Sequence, residues 1–187
     1  MEKGLTAFSK YAIMNYQIKE DTQMALNTIF FDMDGTIAEL YKVPGWLEML
    51  RSNDWSVYDK CLPRAHFDRI NRAIEALIEN GWQVGVITWA SKGIGWGVDC
   101  ERIGEIKFNW LCRFFPALAD GKFACIPYGE SKAQFLLEMG DAGEVNYLVD
   151  DNKEVREDWR AHSEMSMVFR TINAARPFHR DLEGLVM

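Results

Sequence analysis

Apolar positions along this chain follow two rhythms. Thr28-Ile29-Phe30-Phe31 and Trp82 to Trp89 (WQVGVITW) are apolar runs without alternation, which predicts strands covered on both faces. Lys122 to Tyr128, Val145 to Val149 and Met167 to Thr171 continue that series. Between them the spacing becomes helical. Ile70, Ala73, Ile74, Leu77 and Ile78 share one face of a helix that starts at Phe67 and is stopped by Gly81. Ile103, Ile106, Trp110, Phe114 and Phe115 mark another, ended by Pro116, and Ser131 to Met139 a third. Repeated strand–helix alternation predicts an α/β fold: a doubly wound, Rossmann-like parallel sheet with helices on both faces.

Two regions stand outside that alternation. Residues 1–24 hold Leu5, Phe8, Ala12 and Ile13 near helical spacing, which predicts a short amphipathic helix or an arm. Residues 25–187 form the α/β core, and within it 37–66 are an irregular insertion with Pro44-Gly45 and a polar break at Ser52-Asn53-Asp54. That length is enough for a small lid and no more. The run Gly93 to Gly97 lacks the Lys-Ser/Thr ending of a P-loop and predicts a flexible loop.

Composition narrows the partners. With 21 basic and 28 acidic residues the net charge is −7, a poor match for the clustered cations that phosphate-backbone binding needs. Small phosphorylated substrates remain possible, since they require only a local positive site. Cys61, Cys100, Cys112 and Cys125 form no CxxC pair, which predicts reduced, mostly buried thiols and a cytoplasmic protein. Charged residues interrupt the N-terminal apolar positions, and no uncharged stretch of about 18 residues is present to span a bilayer. His66, His162 and His179 offer no paired zinc-ligand spacing.

The chemistry gathers where the predicted strands end. Asp32 and Asp34 follow the first strand, Thr88 closes the second, Lys132 opens the helix after the third, and Asp150-Asp151 follow the fourth. In a parallel sheet the C-terminal strand ends share one edge, so these distant residues can converge. Clustered carboxylates need a cation, and hard oxygen ligands suit Mg²⁺ together with substrate phosphate oxygens. A lysine and a hydroxyl opposite them would hold the remaining phosphoryl charge. A calcium loop does not fit, because aligning Gly35 with the loop glycine puts Phe30 and Tyr41 where carboxylates are required. Asp150 or Asp151 could also cap the helix that follows.

The ordered set Asp32-Met33-Asp34-Gly35-Thr36, Thr88, Lys132 and Asp150-Asp151 resembles the haloacid dehalogenase-like (HAD) superfamily over about Ile29 to Asn152. Phe31 to Lys92 also resembles HAD-like proteins of phages and gut bacteria. Most members of the superfamily are phosphohydrolases. The resemblance implies a phosphomonoesterase with Asp32 as nucleophile, forming an aspartyl-phosphate, and Asp34 as general acid and base. Thr88 and Lys132 would bind the phosphoryl group. Mg²⁺ would be held by Asp32, the Asp34 carbonyl and a carboxylate of the last pair, Asp151 directly and Asp150 directly or behind it. Some relatives carry a further acid four or five residues later, where this chain has Val155 and Arg156. Trp89 follows the second motif, and with Tyr41, Trp46, Trp55 and Tyr58 of the insertion it could stack a flat group such as a nucleobase. Nucleoside monophosphates are therefore the first substrates implied. The alternative is a module of the same fold that binds a phosphorylated ligand or a partner without turnover.

Overall fold

The computed structural model describes residues 12–14, 27–92 and 98–186. Six strands build one sheet: β1 (Ala12–Met14), β2 (Asn27–Phe31), β3 (Gln83–Trp89), β4 (Lys122–Ile126), β5 (Val145–Asp150) and β6 (Val168–Asn173). Their order is β1-β4-β3-β2-β5-β6. The strands β4-β3-β2-β5-β6 are all parallel, while β1 lies antiparallel on the β4 edge. Chain order thus runs outward from β2 to β4 and then returns past β2 to β5 and β6. The reversal between β2 and β5 is a topological switch point, where the loops diverge and leave a crevice.

The helices are α1 (Trp46–Arg51), α2 (Ser56–Lys60), α3 (Phe67–Glu79), α4 (Val98–Phe114), α5 (Pro116–Ala119), α6 (Lys132–Met139), α7 (Lys153–Ala161) and α8 (His179–Glu183). They cover both faces because strand side chains alternate. Ile29, Phe31, Val84, Val86 and Phe123 enter one apolar layer with residues of α3, α4, α5 and α8. Phe30, Ile87, Ala124, Ile126 and Leu148 enter the other with residues of α6 and α7. Both layers exclude water, which is why the strands read as unbroken apolar runs.

The caps set where the site-bearing elements begin. The Ser131 side chain accepts a hydrogen bond from Gln134 N at 3.1 Å, so α6 starts at Lys132. Asn152 accepts from Glu154 N and Val155 N and is the N-cap of α7, so neither Asp150 nor Asp151 fills that role. At 42% exposure Ile78 does not share the buried face of α3. Eight residues beyond Ile70, at about 100° each, it falls roughly 80° round the helix. Residues 12–14 are a strand and not a helical turn; the rest of 1–24, like Gly93 to Gly97 with Trp96, lies outside the described residues. Cys61, Cys100 and Cys125 are buried free thiols, and Cys112 is exposed. No described helix is long and apolar enough to cross a membrane.

Residues 37–66 leave and return at one point. Glu39 N donates to Leu62 O at 2.9 Å and Arg64 N to Ile37 O at 2.8 Å, closing a neck. Beyond it lie a 3₁₀ turn at Leu40–Lys42 and the helices α1 and α2. α2 buries Val57 and Tyr58, whereas α1 has no buried residue.

Candidate active site

The backbone at the switch point is strained into shape by one glycine. Asp32 N still pairs with Val149 O at 2.9 Å, and then Thr36, Ile37 and Ala38 N all turn back to Met33 O. Gly35 has φ +84°, and a Cβ there would come within 2.6 Å of Asp151 Oδ2 and 2.5 Å of the Tyr41 ring. Glycine alone permits both the left-handed backbone and the close approach of the second loop. The Thr36 hydroxyl then accepts from Asp151 N at 3.1 Å and donates to Asp151 Oδ1 at 3.2 Å. Arg64 Nη1 donates to Gly35 O at 2.8 Å, and Arg156 Nη1 donates to Asp150 O at 2.8 Å. Each carboxylate-bearing loop is therefore braced from behind by a guanidinium.

These loops bring Asp32, Asp150 and Asp151 together, each offering an oxygen within 4.8 Å of the others. Lys132 Nζ donates to Asp32 Oδ1 at 2.6 Å and to Asp150 Oδ2 at 2.8 Å. Burial alone would lower the lysine's pKa, but the Asp150 and Asp32 carboxylates raise it above the ordinary value, so it stays an ammonium. Burial pushes Asp150 up to about 6 against the pull of Lys132, and it also raises Asp151, with Asp32 adding to the effect. One buried ammonium thus leaves the three carboxylates short of positive charge, the donor set that a hard divalent cation fits. Asp150 has both oxygens engaged, since Asn152 N donates to Oδ1 at 2.8 Å. Asp151 has one engaged by Thr36.

Asp34 belongs to a second cluster. Lys107 Nζ, from the middle of α4, donates to Asp34 Oδ2 at 2.7 Å, to Trp89 O at 2.7 Å and to Thr88 Oγ1 at 3.0 Å. It also lies 4.6 Å from the centre of the Tyr58 ring. Burial works against its charge, yet the Asp34 carboxylate holds its pKa above the usual lysine value. Burial raises Asp34, and Lys107 offsets this only in part.

Both clusters open into one cavity of about 500 Å³. Trp89 and Tyr128 form one wall, with ring centres 4.9 Å apart, and Lys132 Nζ sits 5.3 Å from the Trp89 ring. Tyr41 and Trp46 of the insertion form another, 5.1 Å apart edge to face. Arg51, Ser91, Lys92 and Asn152 add to the polar lining.

Of the expected site residues, Asp32, Asp34, Trp89, Lys132, Asp150 and Asp151 all line this cavity. Thr88 does not. It is fully buried and faces Lys107, because alternation along β3 turns it to the same side as Val84 and Val86, under α4. Ser91, beyond the strand end, lines the cavity instead. The carboxylate of Asp34 stands apart from the acidic trio, tied to Lys107. Lys107 itself escaped the sequence reading, although a signal existed. Cys100, Ile103, Lys107, Trp110 and Leu111 recur at 3-4 spacing, and a lysine on that apolar face must find partners inside.

No protein-family model matches the sequence, and no curated protein matches it. Among solved structures, the chain is similar to a protein from Mesorhizobium loti assigned as a HAD-like phosphatase. The identity is 14%, the alignment covers 97% of this chain and 95% of that one, and the TM-score is 0.59. A D,D-heptose 1,7-bisphosphate phosphatase from Burkholderia thailandensis superposes more loosely, at 16% identity over 84% of this chain and 98% of that one, with a TM-score of 0.47. The parallel sheet, its strand order and an alignment that covers nearly all of both chains give this chain the same α/β fold as the first of these proteins.

Proposed function

We propose that the chain is a Mg²⁺-dependent phosphomonoesterase that works through an aspartyl-phosphate on Asp32. The observation that carries this reading is the meeting of Asp32, Asp150 and Asp151 around Lys132, with Asp34 on the same cavity. A pure binding module has no use for a second acid two residues beyond the first.

The Asp32 carboxylate oxygen not held by Lys132 attacks phosphorus. The P–O ester bond breaks, its electron pair goes to the leaving oxygen, and Asp34 supplies that oxygen with a proton. Water then attacks the same phosphorus, yields a proton to Asp34, and releases inorganic phosphate and free Asp32. Lys132 neutralises charge on Asp32 and on the transferring group. Ser91, with its own backbone amide, binds phosphoryl oxygens in the role first given to Thr88. Asp32, Asp151 and the Asp34 carbonyl would hold Mg²⁺, with Asp150 steering Lys132. Bound there, the cation supplies charge neutralisation to the carboxylates and phosphoryl oxygens.

Residues 37–66 act as a lid of small reach. The two aromatic walls favour a flat leaving group, and nucleoside monophosphates are the first substrates to test. A panel of phosphate esters, assayed with Mg²⁺ and with chelator, tests the reading. Phosphate release that needs Mg²⁺ and disappears in a folded Asp32→Asn variant is expected. Turnover unchanged by that substitution overturns it.

A further inference from the structure

Lys107 is a charge in the wrong place for a core residue. Its side chain is 1% exposed, on a helix face otherwise filled by Ile103, Trp110 and Leu111. An ammonium has three N–H donors, and here each one is used: Asp34 Oδ2, Thr88 Oγ1 and the Trp89 carbonyl oxygen. Two of these acceptors belong to the rigid end of β3, the central parallel neighbour of β2. The third is the carboxylate that faces the leaving group in the proposed reaction. Tyr58, from the lid segment, closes over the ammonium. The Asp34 side chain is 20% exposed, and among the described residues Lys107 is its one charged partner within bonding distance.

We propose that Lys107 is a positioning residue for the proton-transfer step: it ties Asp34 to the end of β3 by one oxygen, so that the other points at the leaving-group oxygen. This rests on the phosphomonoesterase reading above. The tie matters because, among the described residues, Lys107 is the one hydrogen-bond partner of the Asp34 carboxylate, and a misplaced catalytic group loses rate steeply. A lysine that only joined α4 to β3 would use the carboxylate as a counter-ion, whatever direction its second oxygen takes.

The two roles separate in the dependence on leaving group. Proton donation matters for an alkoxide and little for a stable phenolate. kcat/KM reports events up to the first irreversible step, here cleavage of the ester. In Lys107→Met, kcat/KM for an alkyl phosphate should fall by about 100-fold or more, within the usual range for losing a general acid. For 4-nitrophenyl phosphate it should fall by less than about 5-fold on the same reasoning. Because Asp34 also receives the proton of the hydrolytic water, this variant should show a burst of nitrophenolate, one per enzyme, ahead of a slow steady state. Lys107→Gln, which keeps an N–H donor, should lie between Met and wild type in the alkyl-to-aryl ratio. Thr88→Val, which removes one of the three anchors with little change of shape, should bias the ratio the same way by a few-fold, and it carries the test if Lys107→Met does not fold. Equal losses for both esters, or no loss for either, overturn the inference. Wild-type protein that turns over neither ester with Mg²⁺ overturns the phosphomonoesterase reading, and this inference with it, a result distinct from the others.

Discussion

Lys132 and Lys107 are each 1% exposed, each is paired with a carboxylate, and each contacts Trp89, yet they reach their places by different routes. Lys132 is the first residue of α6, six residues after the end of β4, so the chain delivers it to the sheet edge soon after the strand ends. Lys107 projects from the middle of α4 and arrives only because that helix packs on β4, from where the side chain reaches the end of β3. Lys132 spans two carboxylates at the switch point, where phosphoryl charge is expected. Lys107 spans a carboxylate and two neutral oxygens and does not line the cavity. A strand end brings charge to a substrate; a packed helix face fixes the direction of a side chain.

The largest expected contrast is in turnover. Lys132→Met should lower kcat about 10²–10³-fold for alkyl and aryl esters alike, since it removes a donor to the transferring group itself. A leaving-group bias in that variant like the one expected for Lys107→Met would erase the distinction. Stability sharpens the contrast further. Without Lys132 the buried Asp32 and Asp150 face each other unpaired, so the variant should melt well below wild type in chelator and recover much of the loss in Mg²⁺. Lys107→Met should show no comparable recovery, because Asp34's carboxylate lies outside the acidic trio.

Asp151→Asn should raise the Mg²⁺ concentration for half-activity about 10–100-fold while sparing the fold. An unchanged requirement would move the direct ligand to Asp150. Gly35→Ala combines a disfavoured left-handed residue with a clash against Asp151 and Tyr41, and should cost about 1–3 kcal/mol in thermal or urea unfolding. The smallest effect concerns pH. Burial raises Asp150 to about 6, so its contribution favours the fold below the unfolded value near 4 and is lost as pH rises through 6. Mg²⁺ relieves that loss, and the Mg²⁺-induced rise in Tm should therefore be larger at pH 7.5 than at pH 5. An equal rise at both would separate Asp150 from the cation.

Much of this arrangement was legible in the chain. Unbroken apolar runs such as WQVGVITW predicted β3 within one residue, because a strand buried on both faces leaves no other pattern. Asp32, Lys132 and Asp150-Asp151 were readable for a related reason: each closes a strand, directly follows one or opens the next helix, and parallel strands end on one edge. The edge strand β1 was not readable, since Ala12 and Ile13 fall near helical spacing with Leu5 and Phe8, and three residues make too short a strand signal until β4 offers them a partner. Thr88 illustrates a finer limit. Its place at the strand end was visible, but which face it turned to depended on the sheet's alternation and on the helix lying over it.

Local order along the chain by itself determined the strand–helix alternation, the sheet edge that gathers the acids, and the ammonium that meets them. These follow from covalent connectivity and the period of apolar residues. The tertiary structure alone decided that Asp34 turns to Lys107, that Thr88 faces inward while Ser91 lines the cavity, and that Arg64 and Arg156 brace the loops from behind. Those contacts join side chains far apart in sequence, and a buried charge settles on whichever partners the packed helices bring within reach.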